Sequence, residues 1–121
     1  MDPELLDQAR RALGAWQAGD LSVLEPLLAP DVELLWWKPG EWDCHGRDAV
    51  LALLRDRAPT GAGRADVDLT EIGDSLVVTR RSRRSRQQAS ARPATLVTFS
   101  EGKVVSMRQF RTLAEALAAA R

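Results

Sequence analysis

The sequence contains few of the residues that build metal sites and covalent cross-links. Its 121 residues include one cysteine, Cys44, one histidine, His45, and no tyrosine. A single cysteine excludes a disulfide within the chain, and one Cys with one His cannot supply most of the ligands that structural zinc needs. Without tyrosine, no phenol can act as a catalytic acid or oxyanion donor. We therefore expect no metal site.

Long apolar runs and an excess of one charge are also missing. The longest unbroken apolar run has six residues, Ala49 to Leu54, far below the ~20 that span a bilayer. The N-terminus lacks the basic start and apolar stretch of a secretory signal, which predicts a cytoplasmic protein. Seventeen acidic residues balance seventeen basic ones. This balance argues against nucleic acid or a membrane as the main partner.

The length and composition predict one domain over residues 1–121. Apolar residues make up 45% and charged residues 28% of the chain, which are ordinary values for a soluble domain. No Gly-rich phosphate loop, Gly-x-Ser-x-Gly motif or paired-cysteine motif occurs. Since these motifs mark nucleotide, hydrolase and redox sites, we expect no cofactor.

Capping residues and apolar side chains at helical spacing predict four helices. They run from Asp2 to Gly19, from Asp20 to Pro30, from Gly46 to about Arg57, and onward from Thr112. The last one begins with a capping box, Thr112-Leu113-Ala114-Glu115, which satisfies free N–H groups at a helix start.

Short apolar runs between turn residues predict the strands. The first runs from Val32 to Trp37. Gly73 and Asp74 suit the centre of a hairpin turn, which sets the register of the flanking strands. In that register three pairs share one face: Glu71–Leu76, Leu69–Val78 and Val67–Arg80.

A second hairpin is predicted around Glu101-Gly102, with Phe99 opposite Val104 and Val97 opposite Ser106. Both faces of the sheet are then partly apolar, whereas a sheet with one exposed face alternates cleanly. Helices are expected to cover one face, and a second subunit is the simplest cover for the other. The order of the elements predicts an α+β fold.

Four segments in this order are typical of one superfamily. They are Ala15-Trp16-Gln17-Ala18-Gly19-Asp20, Leu28-Ala29-Pro30-Asp31-Val32-Glu33, His45-Gly46-Arg47-Asp48-Ala49-Val50 and Phe99-Ser100-Glu101-Gly102-Lys103-Val104-Val105. With them the chain resembles the SnoaL-like group of the nuclear transport factor 2-like superfamily, which includes ketosteroid isomerases and polyketide cyclases. The resemblance implies a cone-shaped, curled antiparallel sheet with N-terminal helices on its concave face, a pocket inside the cone and a homodimer.

The catalytic residues of the ketosteroid isomerases do not carry over. Those enzymes place an Asp a few residues into the first strand, where this chain has Trp36. Their Tyr donor comes from the first helix, where this chain has Trp16. The resemblance therefore implies a scaffold and a pocket, and argues against ketosteroid isomerase chemistry.

Four tryptophans, Trp16, Trp36, Trp37 and Trp42, lie within the first 42 residues. Alternation along a strand points Trp36 and Trp37 to opposite faces, so one should reach the interior. The indoles either form ordinary core or dimer contacts, or they build an aromatic wall for a flat apolar ligand. The second interpretation assigns all four to the ligand site.

The densest run of chemically capable side chains extends from Asp43 to Asp48. His45 could act as a general base, and Glu33 is the other candidate. The alternative is structural: Gly46 makes a turn, Asp48 favours the helix N-terminus, and His45 hydrogen-bonds the backbone.

Five arginines fall between Arg80 and Arg86. The cluster is either a charged sheet edge or a nucleic-acid site, and the second would need exposed aromatics and surplus positive charge. Arg80 lies in the apolar register of the first hairpin, so it could bind a carboxylate or enolate oxygen in the pocket. Arg108 and Gln109 lie on opposite faces of the last strand, and the one facing inward is a second polar candidate.

The sequence thus predicts a small-molecule-binding protein with an apolar, Trp-lined pocket. As an enzyme it would use cofactor-free acid–base chemistry, with His45 or Glu33 as base and Arg80 or Arg108 stabilising an oxyanion. The alternative is a non-catalytic ligand-binding or dimerisation module. The expected partners are a small apolar or aromatic molecule and a second copy of the chain.

Overall fold

A computed structural model describes residues 2–38, 40, 43–56, 66–81 and 93–121, with backbone alone at residues 66, 67, 80 and 81. The elements are α1 (Pro3–Gln17), a 3₁₀ turn (Glu25–Leu27), β1 (Leu28–Leu35), β2 (Cys44–His45), α2 (Arg47–Asp56), β3 (Asp66–Ile72), β4 (Ser75–Arg81), β5 (Ala94–Ser100), β6 (Lys103–Phe110) and α3 (Leu113–Ala120). The six strands form one sheet in the order β2-β1-β6-β5-β4-β3. Its neighbours are antiparallel except β1 and β6, which are parallel.

The first predicted helix is confirmed, and the second is wrong. Asp2 caps α1 by accepting a hydrogen bond from the backbone N–H of Glu4 at 3.1 Å. The segment from Asp20 to Pro30 contains only a turn and the 3₁₀ turn before β1 begins. Pro26 explains the difference, because it lies inside the predicted helix and lacks the backbone N–H that a continuous α-helix requires.

Asp20 caps the turn that replaces the predicted helix. Its carboxylate accepts a hydrogen bond from the backbone N–H of Ser22 at 2.9 Å. That hydrogen bond stabilises the ionised form and lowers the pKa of Asp20. The turn therefore leads directly from α1 toward β1 without a second α-helix.

The first strand begins earlier than predicted and ends at Leu35, before the two tryptophans. Pro30 is exposed and lies where the pairing of β1 with β6 shifts register, between Leu28 and Glu33. A proline is tolerated at such an irregularity because no ladder hydrogen bond is lost. The predicted strand Val32–Trp37 is thus corrected at both ends.

The two hairpins differ in how well the sequence predicts their registers. The β3–β4 register is confirmed, including Leu69 opposite Val78. In the β5–β6 hairpin Phe99 lies opposite Val104 as predicted, but a β-bulge then shifts the register by one residue. Val97 therefore pairs with Met107 and not with Ser106. A bulge inserts one residue into one strand, so every later side chain of that strand changes face.

The larger apolar core lies between α1, α2 and one face of the sheet, which we call the inner face. Its buried residues are Leu28, Val32, Leu34, Val50, Leu51, Leu76, Phe99, Val104 and Met107. Leu5, Leu6 and Ala9 of α1 and Leu53 and Leu54 of α2 pack against it. The predicted helical cover of the concave face is confirmed.

The opposite, outer face of the sheet is covered in part by α3. Val77 and Leu96 on this face form a second apolar cluster with Ala116 of α3. The terminal helix therefore supplies cover that the sequence analysis assigned to a second subunit. The homodimer itself stays a prediction.

Helix α3 begins at the predicted capping residue. The hydroxyl of Thr112 accepts a hydrogen bond from the backbone N–H of Glu115 at 3.2 Å. We expect Thr112→Ala to lower the free energy of unfolding by about 1 kcal/mol, because a helix N–H loses its acceptor. Urea unfolding measures this change. Thr112→Ser keeps the acceptor and is the matched control, and equal losses in both variants would contradict the capping role.

Across the described ranges, no helix is long and apolar enough to cross a membrane. The predicted cytoplasmic location stays a prediction.

Candidate functional site

A cavity of about 160 Å³ lies between the inner face of the sheet and the helices. Helix α1 contributes Ala9, Ala12, Leu13 and Trp16 to its wall, and α2 contributes Leu54. Because helical residues three and four apart share a face, this spacing places one stripe of α1 over the sheet. The cavity is thus the part of the helix–sheet interface that side chains do not fill.

The sheet contributes three rows of side chains to the cavity wall, of which the shortest is the apolar pair Phe99 and Val104. Each row follows direct cross-strand partners, which stand on the same face of a sheet. The first row is apolar throughout: Leu34, Met107, Val97 and Leu76. The second row runs from Leu69 and Val78 to Thr95 and Gln109. The polar side chains of the sheet wall are therefore two neighbours in the second row.

Thr95 and Gln109 are hydrogen-bonded to each other. The Thr95 hydroxyl donates to Oε1 of Gln109 at 2.8 Å, and both residues are half-buried. Of the two adjacent candidates on the last strand, Gln109 faces the cavity. Arg108 is exposed on the outer face, with its guanidinium carbon 5.5 Å from the centre of the Phe110 ring.

The β-bulge explains why the sequence analysis favoured Arg108 and missed Thr95. In the predicted register Thr95 stands opposite Arg108, whereas the bulge brings Gln109 opposite Thr95. The sequence did show that the side chains of Arg108 and Gln109 point to opposite faces of the last strand. Only the position of the bulge decides which of the two points inward.

Of the predicted tryptophans that the structure describes, Trp16 lines the cavity. Its indole Nε1–H donates to the backbone carbonyl of Leu54 at 2.8 Å, which links α1 to α2. The indole has only this one donor. Trp16 therefore offers the cavity an apolar ring surface, held in place by the hydrogen bond.

Trp36 and Trp37 follow β1 and do not line the cavity. Their rings contact each other edge to face, with centroids 5.9 Å apart. Trp36 packs against the larger core, and Trp37 is 41% exposed, which agrees with the expectation that one indole reaches the interior. Trp42 lies outside the described residues. The aromatic wall predicted from four tryptophans is thus represented in the described chain by Trp16.

His45 and Glu33 are brought together by the pairing of β1 with β2. They are direct cross-strand partners, and Nδ1 of His45 lies 2.7 Å from Oε2 of Glu33. Their side chains are 67% and 45% exposed. Glu33 alternates along β1 with Leu34, which lines the cavity, so the pair lies on the outer face.

This arrangement combines parts of both interpretations of the Asp43–Asp48 run. A carboxylate can hold an imidazole in an orientation that suits a general base, but the pair does not face the cavity. Gly46 makes a turn with a φ of 92°, as the structural interpretation expects. His45 bonds the Glu33 carboxylate and not the backbone expected there.

The remaining predicted groups add little to the described site. Arg80 pairs with Val67 in the predicted register, and its side chain lies outside the described part. Arg83, Arg84 and Arg86 also lie outside it. Among the residues that the structure describes, no group of three or more His, Cys, Asp or Glu side chains could hold a metal ion.

Comparisons with known proteins agree on the fold. A protein of Mycobacterium tuberculosis, named only as uncharacterized, is 33% identical over 115 residues, covering 87% of this chain and 86% of its own length. An NTF2-like protein of unknown function from Burkholderia xenovorans superposes with a TM-score of 0.66 at 23% identity, over 90% of this chain and 84% of that one. A Jannaschia protein, provisionally named a SnoaL-like polyketide cyclase, has a TM-score of 0.64 at 17% identity, over 98% and 94%.

The family model of the SnoaL-like domain matches residues 9–107, which include α1 from Ala9 onward, the β3–β4 hairpin and the β5–β6 hairpin up to Met107. This confirms the resemblance predicted from the four sequence segments. Together with the curled sheet and its helical cover, the match shows that the chain belongs to the SnoaL-like domain family and has a nuclear transport factor 2-like fold.

Proposed function

We propose that the protein binds a small, neutral, apolar or aromatic molecule in the cavity between the sheet and α1. The observation that carries the proposal is the composition of the wall. Apart from Trp16, Thr95 and Gln109, the described lining residues are all Ala, Leu, Val, Met or Phe. An apolar cavity of about 150 Å³ stays dry and accepts a one-ring molecule, and this one measures about 160 Å³.

The absence of charge in the described wall supports a neutral ligand. An ion that enters an apolar cavity loses its hydration, which costs several kcal/mol unless a partner of opposite charge replaces the water. No residue of the described lining carries such a charge. A neutral molecule pays no comparable cost, so apolar burial alone can favour its binding.

The geometry supports binding more directly than acid–base catalysis. A general acid or base must reach the reacting group within about 3 Å or through one water. His45 and Glu33 lie on the outer face of the sheet, and the lining that the structure describes contains no Asp, Glu, His or Lys. We therefore favour a ligand-binding protein over a cofactor-free acid–base enzyme such as a cyclase.

Native mass spectrometry of freshly purified protein tests retention of a natural ligand. Gentle ionisation should show a bound molecule that leaves on activation. The same spectrum measures the oligomeric state, and we expect the homodimer predicted from the resemblance.

Filling the cavity should weaken ligand binding. Val97 stands in the apolar row of the sheet wall and is half-buried. We expect Val97→Phe to weaken the binding of ethylbenzene at least about tenfold, because the phenyl ring of the new side chain occupies the ligand volume. Overpacking itself costs about 1–3 kcal/mol of stability. Chemical shifts of the cavity methyl groups, followed by NMR during titration, measure the affinity.

Val23→Phe is the matched control, since Val23 is exposed and does not line the cavity. It should bind ethylbenzene like the unmodified protein. Thermal unfolding confirms that both variants are folded. Equal binding by folded Val97→Phe and Val23→Phe would place the ligand elsewhere and contradict the proposal.

A further inference from the structure

We infer that Gln109 selects the ligand by donating a hydrogen bond from its side-chain amide to a neutral carbonyl oxygen. The inference rests on the proposed function, because it names the chemical class of the molecule bound in the same cavity. That class is a one-ring carbonyl compound, such as an aromatic ketone.

The hydrogen bond from Thr95 orients the amide. A threonine hydroxyl has one hydrogen, and here it is donated to Oε1 of Gln109 at 2.8 Å. The carbonyl end of the Gln109 amide is therefore turned toward Thr95, and the NH₂ end is turned away from it. The two residues are direct partners on adjacent antiparallel strands, which fixes the distance between them.

The NH₂ end carries two donors that need acceptors. Within the residues that the structure describes, no group accepts a hydrogen bond from Nε2 of Gln109. Trp16, which also lines the cavity, cannot accept one through its indole N–H, which is itself a donor. A half-buried donor beside an apolar cavity loses water when a ligand enters, so a ligand without an acceptor leaves it unsatisfied.

Because the described wall carries no charge, the acceptor on the ligand should be a neutral group. A carboxylate would also accept from Nε2, but the described lining offers no cation to offset its desolvation. A ketone, ester or lactone oxygen accepts the same hydrogen bond without that cost. One such bond is worth about a factor of ten in affinity.

Acetophenone and ethylbenzene form a matched pair of probes. They share one ring and a two-carbon substituent, and differ in having a carbonyl oxygen or two hydrogens at the carbon next to the ring. We expect acetophenone to bind about tenfold more tightly. In Gln109→Leu, which keeps the approximate size of the side chain, the preference should disappear. Affinity for acetophenone should fall about tenfold, and affinity for ethylbenzene should stay equal or rise.

The side-chain amides give a direct readout in the unmodified protein. The sequence has no asparagine, and its glutamines are Gln8, Gln17, Gln87, Gln88 and Gln109. Their NH₂ signals form a small set in an NMR spectrum of ¹⁵N-labelled protein, and the pair missing from Gln109→Leu belongs to Gln109. Acetophenone should shift that pair downfield, and ethylbenzene should not.

Thr95→Val provides a second variant that leaves Gln109 in place. It keeps the shape of the side chain and removes the hydroxyl that orients the amide. We expect the preference for acetophenone to fall by less than in Gln109→Leu. If Gln109→Leu does not fold, this variant and the titration of the unmodified protein still decide the question, with the Gln109 signal assigned through its backbone.

The outcomes separate this inference from the proposed function. Equal affinity for the two probes in the unmodified protein would overturn the inference and leave the cavity proposal standing. An acetophenone preference that persists in folded Gln109→Leu would do the same. Failure of both probes to bind would overturn the cavity proposal, and this inference with it.

Discussion

Leu76→Ala is expected to lower the free energy of unfolding by about 2–5 kcal/mol, which urea unfolding followed by circular dichroism measures. Leu76 is 1% exposed, belongs to the larger core and lines the cavity. Strand β4 is paired on both sides, with β3 and β5, so the backbone cannot move inward to fill the space. A site that cannot collapse gives a loss toward the upper end of this range.

Ligand binding distinguishes this loss from an ordinary core defect. The space left by Leu76→Ala is continuous with the cavity, so ethylbenzene, which binds only the folded state, should raise the free energy of unfolding of Leu76→Ala by more than it raises that of the unmodified protein. Val23→Ala, at an exposed position, should change stability by no more than about 0.5 kcal/mol. A comparable loss in Val23→Ala, or an equal gain from ethylbenzene in Leu76→Ala and the unmodified protein, would contradict this account of Leu76.

Ala116→Asp is expected to lower the free energy of unfolding by about 3–5 kcal/mol, because it leaves a buried charge without a partner. Ala116 has no exposed surface and packs on the outer face of the sheet with Val77 and Leu96. A carboxylate there either forces α3 away from the sheet or remains buried. Urea unfolding measures the loss, and binding of a hydrophobic dye reports whether the outer face has become exposed.

Ala118→Asp is the control for this prediction, since Ala118 is exposed on the same helix. It introduces the same charge and the same helix propensity at a solvated position, so its effect should stay below about 1 kcal/mol. Equal losses in the two variants would show that α3 does not depend on this contact. Dye binding by Ala116→Asp alone would support the docking of α3 on the outer face.

Local signals in the sequence predict several elements correctly. Asp2 and Thr112 identify the starts of two helices. Their side chains accept hydrogen bonds from backbone N–H groups of the first turn, which have no partner within the helix. Gly73 and Asp74 predict the whole β3–β4 register, since a two-residue turn fixes every pair that follows it. In each case the information lies within a few residues of the feature.

The second hairpin shows where such local reasoning fails. Glu101 and Gly102 have φ angles of 53° and 77°, which suits the tight turn that the sequence predicts. The bulge beyond Phe99 has no residue that marks it, yet it exchanges the faces of Arg108 and Gln109. A single inserted residue therefore decides that Gln109, and not Arg108, faces the cavity.

The alternation of side chains between the two faces of β1 was predicted correctly, but the sequence does not show which face is the interior. It groups Val32 with Leu34 and separates both from Glu33. The packing of α1 and α2 makes the first group the inner one, and these helices are distant in sequence from much of the core they contact. The pairing of His45 with Glu33 likewise required the β1–β2 register, which the long connection from Leu35 to Cys44 does not fix.

The parallel contact between β1 and β6 bears on how the chain acquires its structure. Leu34 pairs with Met107, so most of the polypeptide lies between two strands that must meet. Closing so long a loop costs chain entropy before any contact compensates it, which slows the step. During translation β1 leaves the ribosome long before β6, so the edge of β1 that pairs with β6 stays unpaired until the last hairpin emerges. Assembly of the sheet thus finishes late, and the incomplete nascent chain is the species most exposed to aggregation.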